Sequence, residues 1–335
     1  MWGEIMAKRK MNATIYDVAE LANVSLATAS RVINGIDKVS EDTKQRVLEA
    51  IAELNYKPNT IAKSLASRKT TDVAIIVPEI NYSYVAHTVA GLMDSAKKYG
   101  YDCLIFTTKG SKKDISETFE KVLSLRVNGV IIFNDHLGES ELKELLNFDV
   151  PVVCLATSIK DVSCVTFHYK DQVRTIVEEC LNIKHKDVYF LSVEGHGMIE
   201  ERILKAVKEA YMEKNIVFEN IIHIPDSYSA SYPILFEHFK KVKKGYYIAA
   251  RDSIAISALN AAKDNNIDVP NDVELMAVIG TKYSELSRPR LSSFNINMRN
   301  LGNKGMEVLA RLIENKNQVI VEKLSFEFVK RETTL

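Results

Sequence analysis

A short segment rich in small residues, SLATASR at positions 25–31, has the side chains that reading a DNA base sequence requires. Leu26 and Ala27 can contact a thymine methyl group, and Arg31 carries the fork of N–H donors that pairs with O6 and N7 of guanine. Helical spacing places Ala27, Ser30 and Arg31 on one face, and the hydroxyls of Ser25 and Thr28 can donate to phosphate. The pattern predicts a helix that enters the major groove. The alternative interpretation is a plain three-helix bundle with a solvated arginine.

Three short helices are predicted to position this segment, and each has its own start signal. Thr14 precedes IYDVAELA, Ser25 precedes LATASRVIN, and Ser40 precedes EDTKQRVLEAIAEL. A Ser or Thr before a helix can accept from the free N–H groups of its first turn. Asn23 lies at the tight turn between the first two helices, and Asn34-Gly35 closes the second. The apolar residues expected to form the core of this unit are Val18, Ala19, Leu21, Val24, Ala29, Val32, Ile33, Val47, Leu48, Ile51 and Leu54.

A hinge is predicted after this helical unit. Tyr56-Lys57-Pro58-Asn59 is extended before its proline, and TIAKSLAS then has helical character over only two turns. So short a helix is marginal in water, so we expect it to order only when something holds it.

From residue 72 onward, β-branched runs alternate with helices of ten or more residues, as in VAIIVPEI, DCLIFTT, GVIIFN and PVVCLA. This alternation predicts parallel strands covered on both faces, arranged as two doubly wound α/β subdomains. The expected divisions are an N-terminal extension (1–10), a helix-turn-helix domain (11–57), a hinge and linker (58–71) and a core (72–335). Within the core we expect an N-subdomain of about 72–168 and 297–322, and a C-subdomain of about 169–294 and 325–335.

Composition is that of a soluble globular protein, with 46% hydrophobic and 26% charged residues in 335. The 44 basic and 44 acidic residues cancel, but residues 1–70 carry a net charge of +3, as contact with phosphate favours. No apolar run reaches the roughly 20 residues that span a bilayer, and MWGEIMAKRK lacks the apolar stretch of a secretory signal. We therefore expect a cytoplasmic protein.

The cysteines are scattered, without a C-x-x-C pair or neighbouring histidines, so buried free thiols are expected rather than a metal site or disulfides. These cysteines are Cys103, Cys154, Cys164 and Cys180. No cofactor motif is found, since GxGxxG, P-loop, GxSxG and HExxH patterns are all missing from the sequence.

The runs TIYDVAELANVSLATASRVING and VLEAIAELNYKPNTIAKSLASRKT resemble the headpiece and hinge of the LacI/GalR repressors. The resemblance implies a homodimer that binds a pseudo-palindromic DNA operator, with the C-terminal part following a periplasmic-binding-protein-like core. It also implies base contacts by Leu26, Ala27 and Arg31, and a minor-groove wedge formed by Leu65 with Ala62 and Lys63 beside it. The DNA-contacting set that we predict is Thr14, Ser25, Leu26, Ala27, Thr28, Ser30, Arg31, Asn34, Tyr56, Asn59, Ala62, Lys63 and Leu65.

Two of the three polar groups with which sugar-binding members of that family hold an effector are replaced here. Our alignment places Ile203 at the position of the family arginine, Ala206 at its helix glycine and Ile279 at its second aspartate. Asp252 matches the first aspartate, either as an effector ligand or as an N-cap of the following helix. Because an apolar side chain cannot hydrogen-bond a sugar hydroxyl, a usual response to a free sugar is not expected.

Some members instead bind HPr phosphorylated on serine as corepressor, through basic residues of a helix that corresponds to LGNKGMEVLARLIENK. The resemblance implies Arg311 and Lys304 as candidate corepressor contacts, with a phosphorylated sugar as another possible effector. Glu307 occupies one of the two phosphate-clamping positions, where a carboxylate repels phosphate. Arg311 and Lys304 can equally be solvated surface residues.

Other classes of function compete with DNA binding. An α/β core is compatible with an enzyme that binds ligands at the strand ends, or with a solute receptor, but the first lacks a catalytic motif and the second needs an export signal. A repressor whose core has lost its effector response, and serves for dimerisation alone, is the other mechanism that we retain. It would bind DNA constitutively.

Overall fold

The computed structural model describes residues 13–35, 39–57, 70–108, 112–133, 150–168, 173–174, 176–177, 187–193, 198–315 and 318–335. The chain divides into two compact units, the first ending at Thr70 and the second beginning at Thr71. In the described parts of both units, no helix is long and apolar enough to cross a membrane.

The first unit is a headpiece of helices α1 (Ile15–Leu21), α2 (Leu26–Ile33) and α3 (Glu41–Glu53). Thr14 and Ser25 cap α1 and α2 as predicted, since each side chain accepts from a backbone N–H of the first turn. Ser40 precedes α3 but makes no capping bond, because its hydroxyl donates to Thr43 Oγ1 at 2.9 Å instead. The three predicted helices are therefore confirmed, and the capping role of Ser40 is wrong.

The headpiece core is smaller than its apolar residues suggested. Val18, Ala22, Val47 and Ala50 form its buried centre. Leu21 and Leu48, expected inside, remain 45% and 46% exposed. The core-facing stripes run through Val18 and Ala22 at i, i+4 and through Val47 and Ala50 at i, i+3, and both leucines lie beside those stripes.

The second unit contains two six-stranded sheets, ordered β11-β5-β4-β3-β1-β2 and β12-β10-β9-β8-β6-β7. Pairing is parallel except between β10 and β12, and the central strands are buried almost throughout. The strands are β1 (Asp72–Val77), β2 (Asp102–Thr107), β3 (Gly129–Ile132), β4 (Val152–Leu155), β5 (Ser163–Phe167), β6 (Val188–Val193), β7 (Ile221–Ile224), β8 (Gly245–Arg251), β9 (Val273–Ile279), β10 (Ser292–Asn295), β11 (Val321–Leu324) and β12 (Glu327–Val329). The predicted fold class, a helical headpiece with two doubly wound subdomains, is confirmed.

The helices that the structure describes in the second unit alternate with its strands, as the sequence predicted. They are α4 (Ser83–Tyr99), α5 (Lys112–Ser124), α6 (Met198–Met212), α7 (Tyr228–Lys241), α8 (Asp252–Asp264), α9 (Lys282–Leu286) and α10 (Met298–Glu314). The chain leaves the first sheet after β5, returns to it with α10 and β11, and ends in the second sheet with β12. The N-subdomain is the first sheet with its helices, and the C-subdomain is the second.

Two glycines allow α4 and α10 to cross at close range on the N-subdomain. A Cβ added at Gly91 would lie 2.0 Å from the carbonyl oxygen of Arg299, and one at Gly302 would lie 2.1 Å from that of Thr88. Since backbone cannot yield as a flexible side chain can, both positions require glycine. The crossing fixes α10, which also packs against β3, β4 and β5.

The described cysteines are free thiols, with Cys154 and Cys164 buried and Cys103 partly buried. Burial raises the pKa of Cys154 to about 12 and that of Cys103 to about 11. These thiols are therefore unreactive near neutral pH. Cys180 lies outside the described residues.

Candidate DNA-reading face and core cleft

The start of α2 is fixed by its cap and by the turn before it. Asn23 adopts a positive φ of 51°, which an asparagine tolerates, and turns the chain sharply after α1. Ser25 Oγ then accepts from Thr28 N at 3.2 Å and lies 2.8 Å from Thr28 Oγ1. The two hydroxyls hold each other at the first turn of the helix, where a phosphate would approach.

The predicted reading residues share one exposed side of α2. Ser25, Ala27 and Arg31 are exposed and Leu26 is 39% exposed, whereas Ala29 on the opposite side is fully buried. Thr28 and Ser30 are half-buried between the two sides. Asn34, after the last turn, donates from its side-chain amide to the carbonyl of Ser30 at 2.9 Å. The structure therefore brings these seven residues together along one short helix.

The charge on this side of the headpiece favours an anion. Helix α2 contains no acidic residue, and Arg31 is its basic residue in the last turn. Among the described residues, no carboxylate forms an ion pair with Arg31. No side chain in the described part of the headpiece accepts from its five N–H donors, which can therefore pair with an acceptor outside the protein.

The other predicted headpiece contacts differ in position. Thr14 is exposed and shares a capping box with Asp17, whose pKa is lowered by the hydrogen bonds from the backbone and side chain of Thr14. Tyr56 is half-buried and packs against the headpiece core. The remaining predicted contacts, Asn59, Ala62, Lys63 and Leu65, lie outside the described residues.

Asp252 lies at the carboxyl end of β8, and one oxygen of its carboxylate is already hydrogen-bonded within the protein. Its Oδ2 accepts from Thr281 N at 2.6 Å, from Thr281 Oγ1 at 2.7 Å and from Ser284 Oγ at 3.3 Å. The side chain is 3% exposed and opens α8 as its first helical residue, after the N-cap Arg251. The alternative of Asp252 as N-cap is therefore wrong, because its carboxylate ties α8 to the turn before α9.

The residues that replace the family's polar groups lie in the apolar interior. Ile203 is fully buried on α6, Ala206 is 7% exposed, and Ile279 is 5% exposed at the end of β9. All three belong to one apolar cluster that draws residues from both sheets. None of them offers a hydrogen bond at these positions.

The sequence interpretation missed a polar cluster at the strand ends. Tyr82 Oη donates to Asp226 Oδ2 at 3.1 Å, and Arg251 is ion-paired with the same carboxylate. Asp226 follows β7, and Arg251 is the charged residue that ends the apolar strand GYYIAAR. The charge of Arg251 at the end of a buried strand was a signal of this cluster in the sequence. Its partners Asp226 and Tyr82 could not be identified from spacing, because they are far from Arg251 in the sequence.

The candidate corepressor residues are each paired with an acid. Lys304 Nζ lies 2.8 Å from Glu307 Oε2, and Arg311 Nη1 lies 3.1 Å from Glu322 Oε1. The hydrogen bond to Glu307 raises the pKa of Lys304. An incoming phosphate would compete with both carboxylates.

A helix-turn-helix headpiece before a two-subdomain α/β core defines the class of DNA-binding regulators with a periplasmic-binding-type core. The family model for bacterial regulatory proteins of the lacI family matches residues 14–59, and that for the periplasmic binding protein-like domain matches 177–334. The chain belongs to the lacI family and is a transcriptional regulator, not an enzyme.

Two relatives to which this chain is similar carry the name catabolite control protein A. The protein of Staphylococcus xylosus is 32% identical over 316 residues, and the alignment covers 92% of this chain and 94% of that protein. That of Priestia megaterium is 32% identical over 320 residues, covering 92% and 95%.

Solved structures share the fold. The lac repressor dimer bound to operator and the anti-inducer ONPF aligns with a TM-score of 0.87 at 24% identity, covering 96% of this chain and 99% of that one. The transcription regulator CcpA of Lactococcus lactis aligns with a TM-score of 0.69 at 23% identity, covering 80% and 100%.

Proposed function

We propose that this protein represses transcription by occupying a pseudo-palindromic DNA operator as a homodimer, with α2 in the major groove of each half-site. The observation that carries the proposal is the exposed, acid-free side of α2, where Leu26, Ala27 and Arg31 project from a capped helix. Two such helices related by a twofold axis would meet two inverted half-sites. A protein of this kind works in the cytoplasm, and the named relatives favour a role in carbon catabolite control.

Selection from a pool of random duplexes tests this proposal, because it assumes no operator sequence. The full chain is expected to enrich duplexes with two inverted half-sites and to bind them about 10³-fold or more tighter than random DNA. Titration at two salt concentrations then separates phosphate contacts from base contacts. A pool that shows no enrichment, together with equal affinity for all duplexes, would contradict sequence-specific repression.

Regulation through the core is a separate part of the proposal. We infer that free sugars do not control this protein, because Asp252 is bonded to Thr281 and Ser284 and because Ile203 and Ile279 are buried. This favours a regulator that binds DNA without a sugar effector over one induced in the family's usual way.

Thermal unfolding with added ligands tests that inference, because anything that binds the folded state alone raises Tm. Free sugars are expected to leave Tm unchanged, and phosphorylated sugars and serine-phosphorylated HPr are measured in parallel. A Tm that rises with the concentration of a free sugar would contradict the inference.

A further inference from the structure

Three side chains connect the two subdomains. Tyr82 follows β1 in the N-subdomain, whereas Asp226 follows β7 and Arg251 ends β8 in the C-subdomain. Arg251 is bonded to Asp226 Oδ1, and Tyr82 Oη donates to Asp226 Oδ2 at 3.1 Å. The guanidinium carbon of Arg251 also lies 5.4 Å from the centroid of the Tyr82 ring, within the range of a cation–π contact. Both oxygens of Asp226 are therefore engaged, one of them by the opposite subdomain.

The cluster occupies the position where an open α/β sheet ordinarily receives a ligand. In the second sheet β6 lies between β7 and β8, so the strand order reverses there. In the first sheet β1 lies between β2 and β3, and the order reverses at β1. Ligands of such sheets bind beyond the carboxyl ends of strands at these reversals. Here the ion pair of Asp226 with Arg251 spans one reversal, and Tyr82 reaches it from the other.

Burial strengthens these contacts. The side chain of Arg251 is 14% exposed and that of Asp226 is 32% exposed, so salt and water screen the pair less than a surface pair. Burial disfavours the charge of Arg251, but the charge and hydrogen bond of Asp226, together with the nearby Tyr84 and Tyr82, outweigh burial, and the pKa of Arg251 is raised. Burial and the charge of Asp226 raise the pKa of Tyr82, which keeps its hydroxyl protonated as a donor.

Aromatic packing anchors the N-subdomain side of the cluster. The ring of Tyr82 stacks on Tyr84 at a centroid distance of 5.6 Å, and Tyr84 packs edge-on against Phe133 at 5.9 Å.

A second contact between the subdomains involves Arg202 on α6, whose guanidinium donates to the carbonyl of Ser158 in the N-subdomain at 3.0 Å. In the described part of the core, polar side chains therefore join the subdomains at two separate places.

We propose that Tyr82, Asp226 and Arg251 form a latch through which the protein's own side chains hold the two subdomains closed. The latch deepens the regulatory part of the proposed function, since a core closed by its own residues has no need of a sugar. Its test uses no DNA and no ligand, so its failure is distinguishable from a failure of DNA binding.

The experiment measures the distance between spin labels on the two subdomains of the full chain. Lys113 on α5 and Lys205 on α6 are exposed and accept bio-orthogonal labels, which leave the cysteines untouched. The test variants are Asp226→Asn, Tyr82→Phe and their combination. The matched control is Glu332→Gln, which removes an exposed ion pair with Arg290 within the C-subdomain.

The unsubstituted protein and the control are expected to show one narrow distance distribution. Asp226→Asn should add a population at a different distance, Tyr82→Phe should add a smaller one, and the combination should match Asp226→Asn because both act on one network. A distribution unchanged by Asp226→Asn in the folded protein would overturn the latch. If the Asp226→Asn variant does not fold, the Tyr82→Phe variant provides the test. An unchanged distance distribution in Tyr82→Phe would then overturn the latch.

Discussion

The reading side of the headpiece and the strand ends of the core use their polar side chains in opposite ways. On α2, Arg31 and Leu26 point to solvent, and the described residues supply no acid for Arg31. In the core, Asp252 is bonded to Thr281 and Ser284, and Asp226 to Arg251 and Tyr82.

In the headpiece, the polar groups of α2 are exposed and can bind a partner. At the strand ends of the core, the polar groups are hydrogen-bonded to one another. A buried polar group without a hydrogen bond lowers the stability of the fold. An exposed donor on a capped helix costs little stability, because water accepts its hydrogen bond until an external acceptor binds. Loss of a core contact should therefore reduce stability, and loss of a headpiece contact should reduce DNA recognition.

The largest effect is expected from Asp252→Ala. It leaves the Thr281 N–H and the hydroxyls of Thr281 and Ser284 without their acceptor, which should lower the free energy of unfolding by about 3 kcal/mol. Denaturant titration measures the loss. Asp252→Asn, which keeps an acceptor oxygen, should lose less, and operator affinity of the folded protein should stay the same. Unaltered stability of the alanine variant would contradict the bonded role of Asp252.

Arg31→Ala should give the next largest effect, on DNA and not on stability. Loss of a bidentate pair to guanine costs about 1–3 kcal/mol of operator affinity and relaxes discrimination at one base pair. Arg311→Ala is the matched control, because it removes the same side chain from an exposed position in the core. An equal loss of affinity for operator and for random DNA would contradict base recognition by Arg31.

Ser25→Ala should have a moderate effect on the headpiece. The substitution removes the cap of α2 and should cost about 1 kcal/mol of headpiece stability, which helical circular dichroism on heating measures. Ser40→Ala is its control, since Ser40 makes no capping bond and its replacement should cost less. Equal losses would mean that the cap does not stabilise α2.

Glu307→Gln should have the smallest effect. Its ion pair with Lys304 joins two partly exposed side chains on one helix, and such pairs contribute under about 0.5 kcal/mol. Thermal unfolding should therefore show almost no change. A Tm that falls by several degrees would show that α10 depends on this pair.

Local signals explain why so much of the fold could be predicted from the sequence. The caps Thr14 and Ser25 set the starts of α1 and α2, and the β-branched runs gave the buried strands. Composition alone does not show which leucine faces the core, because Leu21 and Leu48 are as apolar as the buried residues but lie beside the stripes that α1 and α3 bury.

The cleft could not be predicted, because its bonds join distant parts of the chain. Asp226 and Tyr82 are 144 residues apart, and Asp252 and Thr281 are 29 apart. Only the packing of both sheets brings them together. Resemblance pointed to Asp252, which the structure places at the end of β8, but an alignment carries no information about the groups with which that carboxylate is hydrogen-bonded.

The most direct test is a titration of the ligand-free full chain onto a selected operator duplex and a scrambled duplex, each with and without serine-phosphorylated HPr. If the headpiece recognises the operator and the core is held closed by its own side chains, the protein binds the operator duplex tightly and the scrambled duplex weakly. Added phosphoprotein then leaves the affinity for the operator unchanged. Equal binding to both duplexes until the phosphoprotein is added would contradict a self-closed core, because recognition would then depend on a partner that the core has to bind first.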